Sequence, residues 1–167
     1  LTLLQGAVEL RGDGLAVIDE KKIPEKMDGL IREAVFGEPE TAAFARWLIT
    51  EIGQAVGVRP ASIQDLYLAR GRGRIEKPFT VPAMNLRMLA YDSARAVFRA
   101  ARTIDCGAFL FEIARSEMVY TDQRPAEYVA AMIAAALREG YRGPVFIQGD
   151  HFQAGAKKYA ADPETEI

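Results

Sequence analysis

The only histidine of this 167-residue chain, His151, directly follows Asp150 at the end of the apolar run Val145-Phe146-Ile147-Gln148, with Gly149 between run and carboxylate. Such a run reads as a buried strand that delivers two reactive groups to its C-terminal tip. In parallel α/β folds that tip is where metals and substrates sit. Neutral imidazole nitrogen is a ready zinc ligand, and a carboxylate within hydrogen-bond reach of a substrate hydroxyl can serve as general acid or base. Both residues also have a plainer reading. A lone histidine is ordinarily a surface or hydrogen-bonded core residue, one ligand is not a zinc site, and Asp150 could simply cap the following turn. Adjacent strand residues point to opposite faces, so the two groups share a pocket only if the chain turns at the strand end, a freedom that Gly149 would supply.

The elements that must position these groups are visible in the hydrophobic patterning. From Phe79 onward strand and helix alternate: a strand Phe79–Met84 ending at Asn85, and a helix Tyr91–Arg102 with Ala94, Val97, Phe98 and Ala101 on one face. A strand Ala108–Phe111 follows and ends in Glu112, then a helix Pro125–Glu139 stopped by Gly140, then the strand Val145–Gln148. This order predicts a parallel sheet with right-handed crossovers, its strands apolar because both faces are covered. A charge at Glu112 lies either at the pocket or against a base such as Arg115 or Arg87. Cys106 reads as a small buried filler.

Residues 1–74 read as a mostly helical N-terminal extension. Ala7–Leu10 and Leu15–Ile18 flank Arg11-Gly12-Asp13-Gly14 as a hairpin or strand pair. A helix runs from Ile23-Pro24 through Met27, Leu30, Ile31 and Val35 to Gly37, and Phe44, Trp47, Leu48, Ile52 and Val56 recur at helical spacing. Pro60 is taken to begin a further helical piece with Ile63, Leu66 and Tyr67. Gly71-Arg72-Gly73-Arg74 reads as a flexible connector rather than a phosphate-gripping loop.

Composition narrows the function classes. Half of the residues are hydrophobic and 26% are charged, as in a soluble globular protein, and 23 acidic residues nearly balance 21 basic ones. That balance favours neither nucleic acid nor an anionic membrane as partner. One cysteine forms no internal disulfide, and no signal-like or membrane-spanning run is present, so a cytoplasmic protein is expected. The chain begins without methionine, and Asp162-Pro163-Glu164 announces a helix with four residues left after Pro163. A complete (β/α)8 barrel needs about 250 residues, so the expectation is the N-terminal portion of something larger.

The motifs Phe79-Thr-Val-Pro-Ala-Met-Asn85, Phe111-Glu-Ile-Ala114, Tyr120-Thr-Asp-Gln-Arg-Pro125 and Phe146-Ile-Gln-Gly-Asp-His151 resemble the first three strands of class II, metal-dependent fructose-bisphosphate aldolases and the related tagatose-bisphosphate aldolase subunits. The resemblance runs from about Pro78 to the C-terminus, and the extension suits a longer branch of the family. It implies that residues 75–167 are about the first three βα units of a TIM (β/α)8 barrel. It further implies zinc-dependent, reversible cleavage of a ketose bisphosphate, fructose 1,6-bisphosphate foremost, to dihydroxyacetone phosphate and an aldehyde. On this reading His151 is the first Zn²⁺ ligand and Asp150 the acid/base that takes the proton from the substrate C4 hydroxyl. Asn85, Glu112 and Gln148 are then substrate-binding, although Asn85 also reads as a turn residue and Gln148 as a group satisfying backbone. The family's two further histidines and its phosphate-binding loops would lie beyond Ile167, so these residues alone are expected to be inactive. Partners implied are a sugar phosphate and further copies of the chain. The commonest aldolases place a serine near the second strand end, whereas Glu112-Ile113-Ala114 is closer to the tagatose-bisphosphate branch. A non-catalytic aldolase-like subunit and a sugar-phosphate-binding protein on the same scaffold therefore stay open.

Overall fold

In the computed structural model the described residues are 2–12, 14–77 and 79–166; Asp13 of the predicted turn, Pro78 where the resemblance begins, and the terminal Leu1 and Ile167 lie outside them. The chain opens with an antiparallel pair, β1 (Val8–Arg11) and β2 (Gly14–Val17), as the turn composition predicts. Two helices follow, α1 (Ile23–Phe36) and α2 (Pro39–Ala55), then β3 (Val58–Ala61) and α3 (Gln64–Gly71). The alternating part comprises β4 (Ala83–Asn85), α4 (Ala90–Thr103), β5 (Leu110–Ala114), α5 (Arg115–Tyr120), α6 (Pro125–Arg138) and β6 (Gly143–Asp150). Two short helices, α7 (Ala156–Ala161) and α8 (Pro163–Glu166), end it, the second capped by Asp162, which accepts hydrogen bonds from the Thr165 backbone and hydroxyl. Among the described residues no helix is long and apolar enough to cross a membrane.

Helix α6 starts on a proline, whose fixed φ suits a first turn, and ends before Gly140, which takes the left-handed conformation at φ 70°. Between these stops Ala130 to Leu137 are all buried. A helix with no polar side has to be enclosed, and α1, α2 and α4 pack around it while β3, β5 and β6 lie against it. Residues of the extension and of the alternating part thus share one core, in which Met27, Leu30, Ile49 and Ile52 join Phe98, Phe111 and Ile133.

The sheet has four parallel strands in the order β3-β6-β5-β4. Three were expected, and the fourth, β3, lies where Pro60 suggested the start of a helix. Proline has no N–H to give a ladder and is tolerated in a strand at a sheet edge, the position β3 occupies. The helical piece begins only at Gln64, and Gly71 and Arg72 of the expected connector close that helix. β3 pairs only with the first half of β6, Val58 opposite Gly143 through Ala61 opposite Phe146. The first expected strand is also shorter than its apolar run, because Pro82 precedes it and contributes only a carbonyl, which accepts from Leu110 N at 2.9 Å. β6 in turn runs longer and includes Asp150 as its last residue.

Side-chain alternation divides the sheet. Phe111, Ile113 and Val145 enter the helix-covered core, with Phe98 of α4 against Phe111 at 5.5 Å between ring centroids. The register places Asn85 beside Glu112 and Glu112 beside Gln148, with Asp150 two residues further along the same side of β6. A polar row therefore occupies the face opposite the helices. Cys106 is half-buried rather than buried, its Sγ donating to Ala108 O at 3.3 Å.

Gly53 marks the closest approach of α2 to the sheet. A Cβ there would lie 2.7 Å from Val58 O and 2.8 Å from Ile133 Cγ2, and the backbone carbonyl cannot swing away. Gly53→Ala should cost about 1–3 kcal/mol by overpacking, read as a lower urea midpoint with unchanged slope. An unchanged midpoint would mean that α2 stands farther from β3.

Candidate functional site

The C-terminal ends of β4, β5 and β6 are neighbours in the sheet, and a chain of hydrogen bonds crosses them. Asn85, the last residue of β4, donates from Nδ2 to Asp150 Oδ2 at 3.1 Å and to Glu117 Oε2 at 3.3 Å. Asp150 Oδ1 lies 2.7 Å from His151 Nδ1, and Arg87 Nε donates to Glu117 Oε1 at 2.5 Å. Arg87, Glu117, Asn85, Asp150 and His151 thus form one connected series.

Glu117 enters because β5 passes into α5 without a loop. As the third residue of α5 it reaches back to accept from the N–H of Ala114, the helix N-cap, at 3.0 Å. This is one arm of a capping box; Ala114 has no side-chain acceptor to form the other. Among the described residues Glu117 is the one charged residue that is buried, at 5% exposure. Burial works against its ionisation, yet hydrogen bonds from Ala114, Asn85 and Arg87 outweigh that penalty and hold its carboxyl below the usual range. Asp150 is also held low, first by the His151 side chain and then by Asn85.

His151 takes a left-handed backbone at φ 52°, a conformation that costs a non-glycine residue about 1 kcal/mol. This turn at His151, not at Gly149, brings the imidazole back beside the carboxylate that precedes it. Gly149 serves a different purpose from the expected one: a Cβ there would come within 2.7 Å of the Phe152 ring, so the glycine makes room for that ring. With Nδ1 held by Asp150, the Nε2 of a neutral imidazole carries the free lone pair, and the side chain is 78% exposed.

The other candidates pair among themselves. Gln148 Nε2 donates to Glu112 Oε1 at 2.5 Å, and Tyr128 Oη donates to the Glu112 carbonyl at 2.8 Å. Glu112 therefore pairs with neither Arg115 nor Arg87, since Arg87 is taken by Glu117. Asn85, Asp150 and His151 are brought into direct contact, while Glu112 and Gln148 line the same face of the sheet without bonding to them. Sequence reasoning missed Glu117. The signal for it was a glutamate three residues after a strand end, where a helix begins.

Among the described residues no group of three or more histidine, cysteine or carboxylate side chains could hold a metal ion. Both Asp150 oxygens accept hydrogen bonds, so the donor set here amounts to one imidazole nitrogen, which fits a single zinc ligand and not a zinc centre. A hollow of about 560 Å³ lined by Arg115, Met118, Phe152, Gln153 and Glu166 adjoins the segment after His151, with room for a small ligand.

Glu117→Gln keeps the shape and removes the charge, and should cost about 1–3 kcal/mol at neutral pH. Because the folded-state pKa of Glu117 lies below its ordinary 4.5, the ion's stabilisation is present above that value and is lost as pH falls through the folded pKa. The stability gap between wild type and variant, measured by urea unfolding, should therefore be widest near neutral pH and close in acid. A gap independent of pH would contradict the ion's role.

No family model, no curated protein and no solved structure matches this chain.

Proposed function

We propose that the chain carries the first part of a class II aldolase-like site, with Asp150 as general acid/base and His151 as one zinc ligand, and that its sheet belongs to a (β/α)8 barrel. The observation that carries this reading is the Asp150–His151 pair at the end of the third of three adjacent parallel strands, on the face opposite the helices. Strands β4, β5 and β6 follow one another in sequence and in space, as successive barrel strands do, while β3, which precedes them in sequence, pairs with the first half of the outer edge of β6. The active site of such a barrel lies at the C-terminal strand ends, where these groups stand.

The residues have separable tasks in cleaving a ketose bisphosphate. Asp150, held ionised by two hydrogen bonds, is the group suited to accept the proton of a substrate hydroxyl. His151, with Nδ1 tied to Asp150, offers Nε2 in a fixed orientation, as metal-bound imidazoles generally require. Zinc, when bound, supplies Lewis-acid stabilisation of the negative charge developing on the ketone oxygen. Its remaining ligands must come from outside the described residues.

A second reading, a non-catalytic subunit or sugar-phosphate-binding protein, is favoured by one observation. Glu112 and Gln148 are committed to each other in the row beneath Asp150, which leaves fewer free polar groups to grip a substrate.

Zinc content and fructose 1,6-bisphosphate cleavage of the intact protein separate the two. Asp150→Asn should retain zinc and lose on the order of 10²–10⁴-fold in kcat. His151→Ala should lose the metal. Unchanged zinc in His151→Ala would sink the ligand assignment, and sugar-phosphate binding without turnover in the wild type would favour the second reading.

A further inference from the structure

The environment of Asn85 fixes which way its amide faces. The two oxygens within reach of it, Glu117 Oε2 and Asp150 Oδ2, belong to carboxylates, which as the anions usual at neutral pH can only accept. The NH₂ group alone can lie between them, because the reversed amide would set its own oxygen against both. Its two protons are then used, one on each carboxylate. That leaves Oδ1, which bonds to none of the described residues. Since no described polar side-chain atom is both fully buried and unpartnered, Oδ1 is not sealed from solvent.

The two carboxylates are not equivalent anchors. Glu117 is buried, starts a helix that continues directly from β5, and is fixed by the Ala114 N–H and by Arg87 as well as by Asn85. Asp150 ends a strand, is 24% exposed at its side chain, and has Asn85 and His151 as its side-chain partners.

We infer that Glu117 is a positioning residue: it holds Asn85 with the amide nitrogen on the carboxylates and Oδ1 presented as an acceptor, so that the site selects a substrate group that donates, a hydroxyl rather than a carbonyl or ester oxygen. The amide orientation stands on the geometry alone. Its link to ketose-bisphosphate turnover rests on the proposed function.

A double-mutant cycle with Asn85→Ala and Glu117→Gln tests the link, read as KM and kcat for fructose 1,6-bisphosphate in the intact protein. Glu117→Gln alone should raise KM about five- to tenfold, the worth of roughly one hydrogen bond, with a smaller change in kcat. In the Asn85→Ala background it should add nothing. A scaffold role would multiply the loss equally in both backgrounds, and that result overturns the inference. Side-chain amide resonances of Asn85 give a readout that needs no turnover. The wild type should show two well-separated, slowly exchanging protons; Glu117→Gln should bring them together and speed their exchange. Arg87→Met, which loosens Glu117 from its far side, should move them the same way by less. Absence of cleavage in the wild type overturns the aldolase reading while the amide spectrum still decides the orientation. An Asn85 pair unchanged in Glu117→Gln overturns the positioning role.

Discussion

Helix α6 has no side that tolerates water. From Ala130 to Leu137 it is buried without a break, and six residues from Ala126 to Ala136 are alanine, which lets neighbouring backbones come close. Enclosing it takes three other helices and three strands, α1, α2, α4, β3, β5 and β6. Helices α1 and α2, which precede the alternating part, are held by this demand, and the hairpin packs on α2 through β2. Because the enclosing helices all gather on one side of the sheet, the polar residues of β4, β5 and β6 are left to the other side.

At the strand ends the governing problem is electrostatic. Glu117 and Asp150 are like charges drawn toward one amide, and each would repel the other if left alone. Asn85 divides them with one proton for each, while Arg87 and His151 stand at the outer ends. The alternation of donor and acceptor gives each carboxylate a hydrogen-bond donor on either side, which favours the charged form of both acids. Three separate pieces of chain are thereby registered at the one place where their chemistry would have to coincide.

Much of this was legible in the residues. The period of α1, α2, α4 and α6 and the proline and glycine at the ends of α6 specify those helices locally. The strand-helix order specifies a parallel sheet. β3 was not legible, since four residues carry no measurable period and Pro60 suits both a first helical turn and an edge strand. The adjacency of Asp150 and His151 was plain, but not the left-handed turn that folds one back on the other, because a strand end does not announce its φ. Partners of charged residues were harder still. Glu112 bonds to Gln148 and Arg87 to Glu117 across 36 and 30 residues of sequence, distances over which only the finished sheet register decides who meets whom.

The partial cover that β3 gives to β6 has a mechanical side. The strand is clamped by ladders on both flanks from Gly143 to Phe146, whereas from Ile147 to Asp150 only β5 holds it among the described residues. Asp150 ends the half that β5 alone holds, and Asn85 and Glu117 belong to other elements, so the spacing of the two carboxylates is set by the β5 ladder and by the Asn85 amide rather than by β3 or the packing around α6.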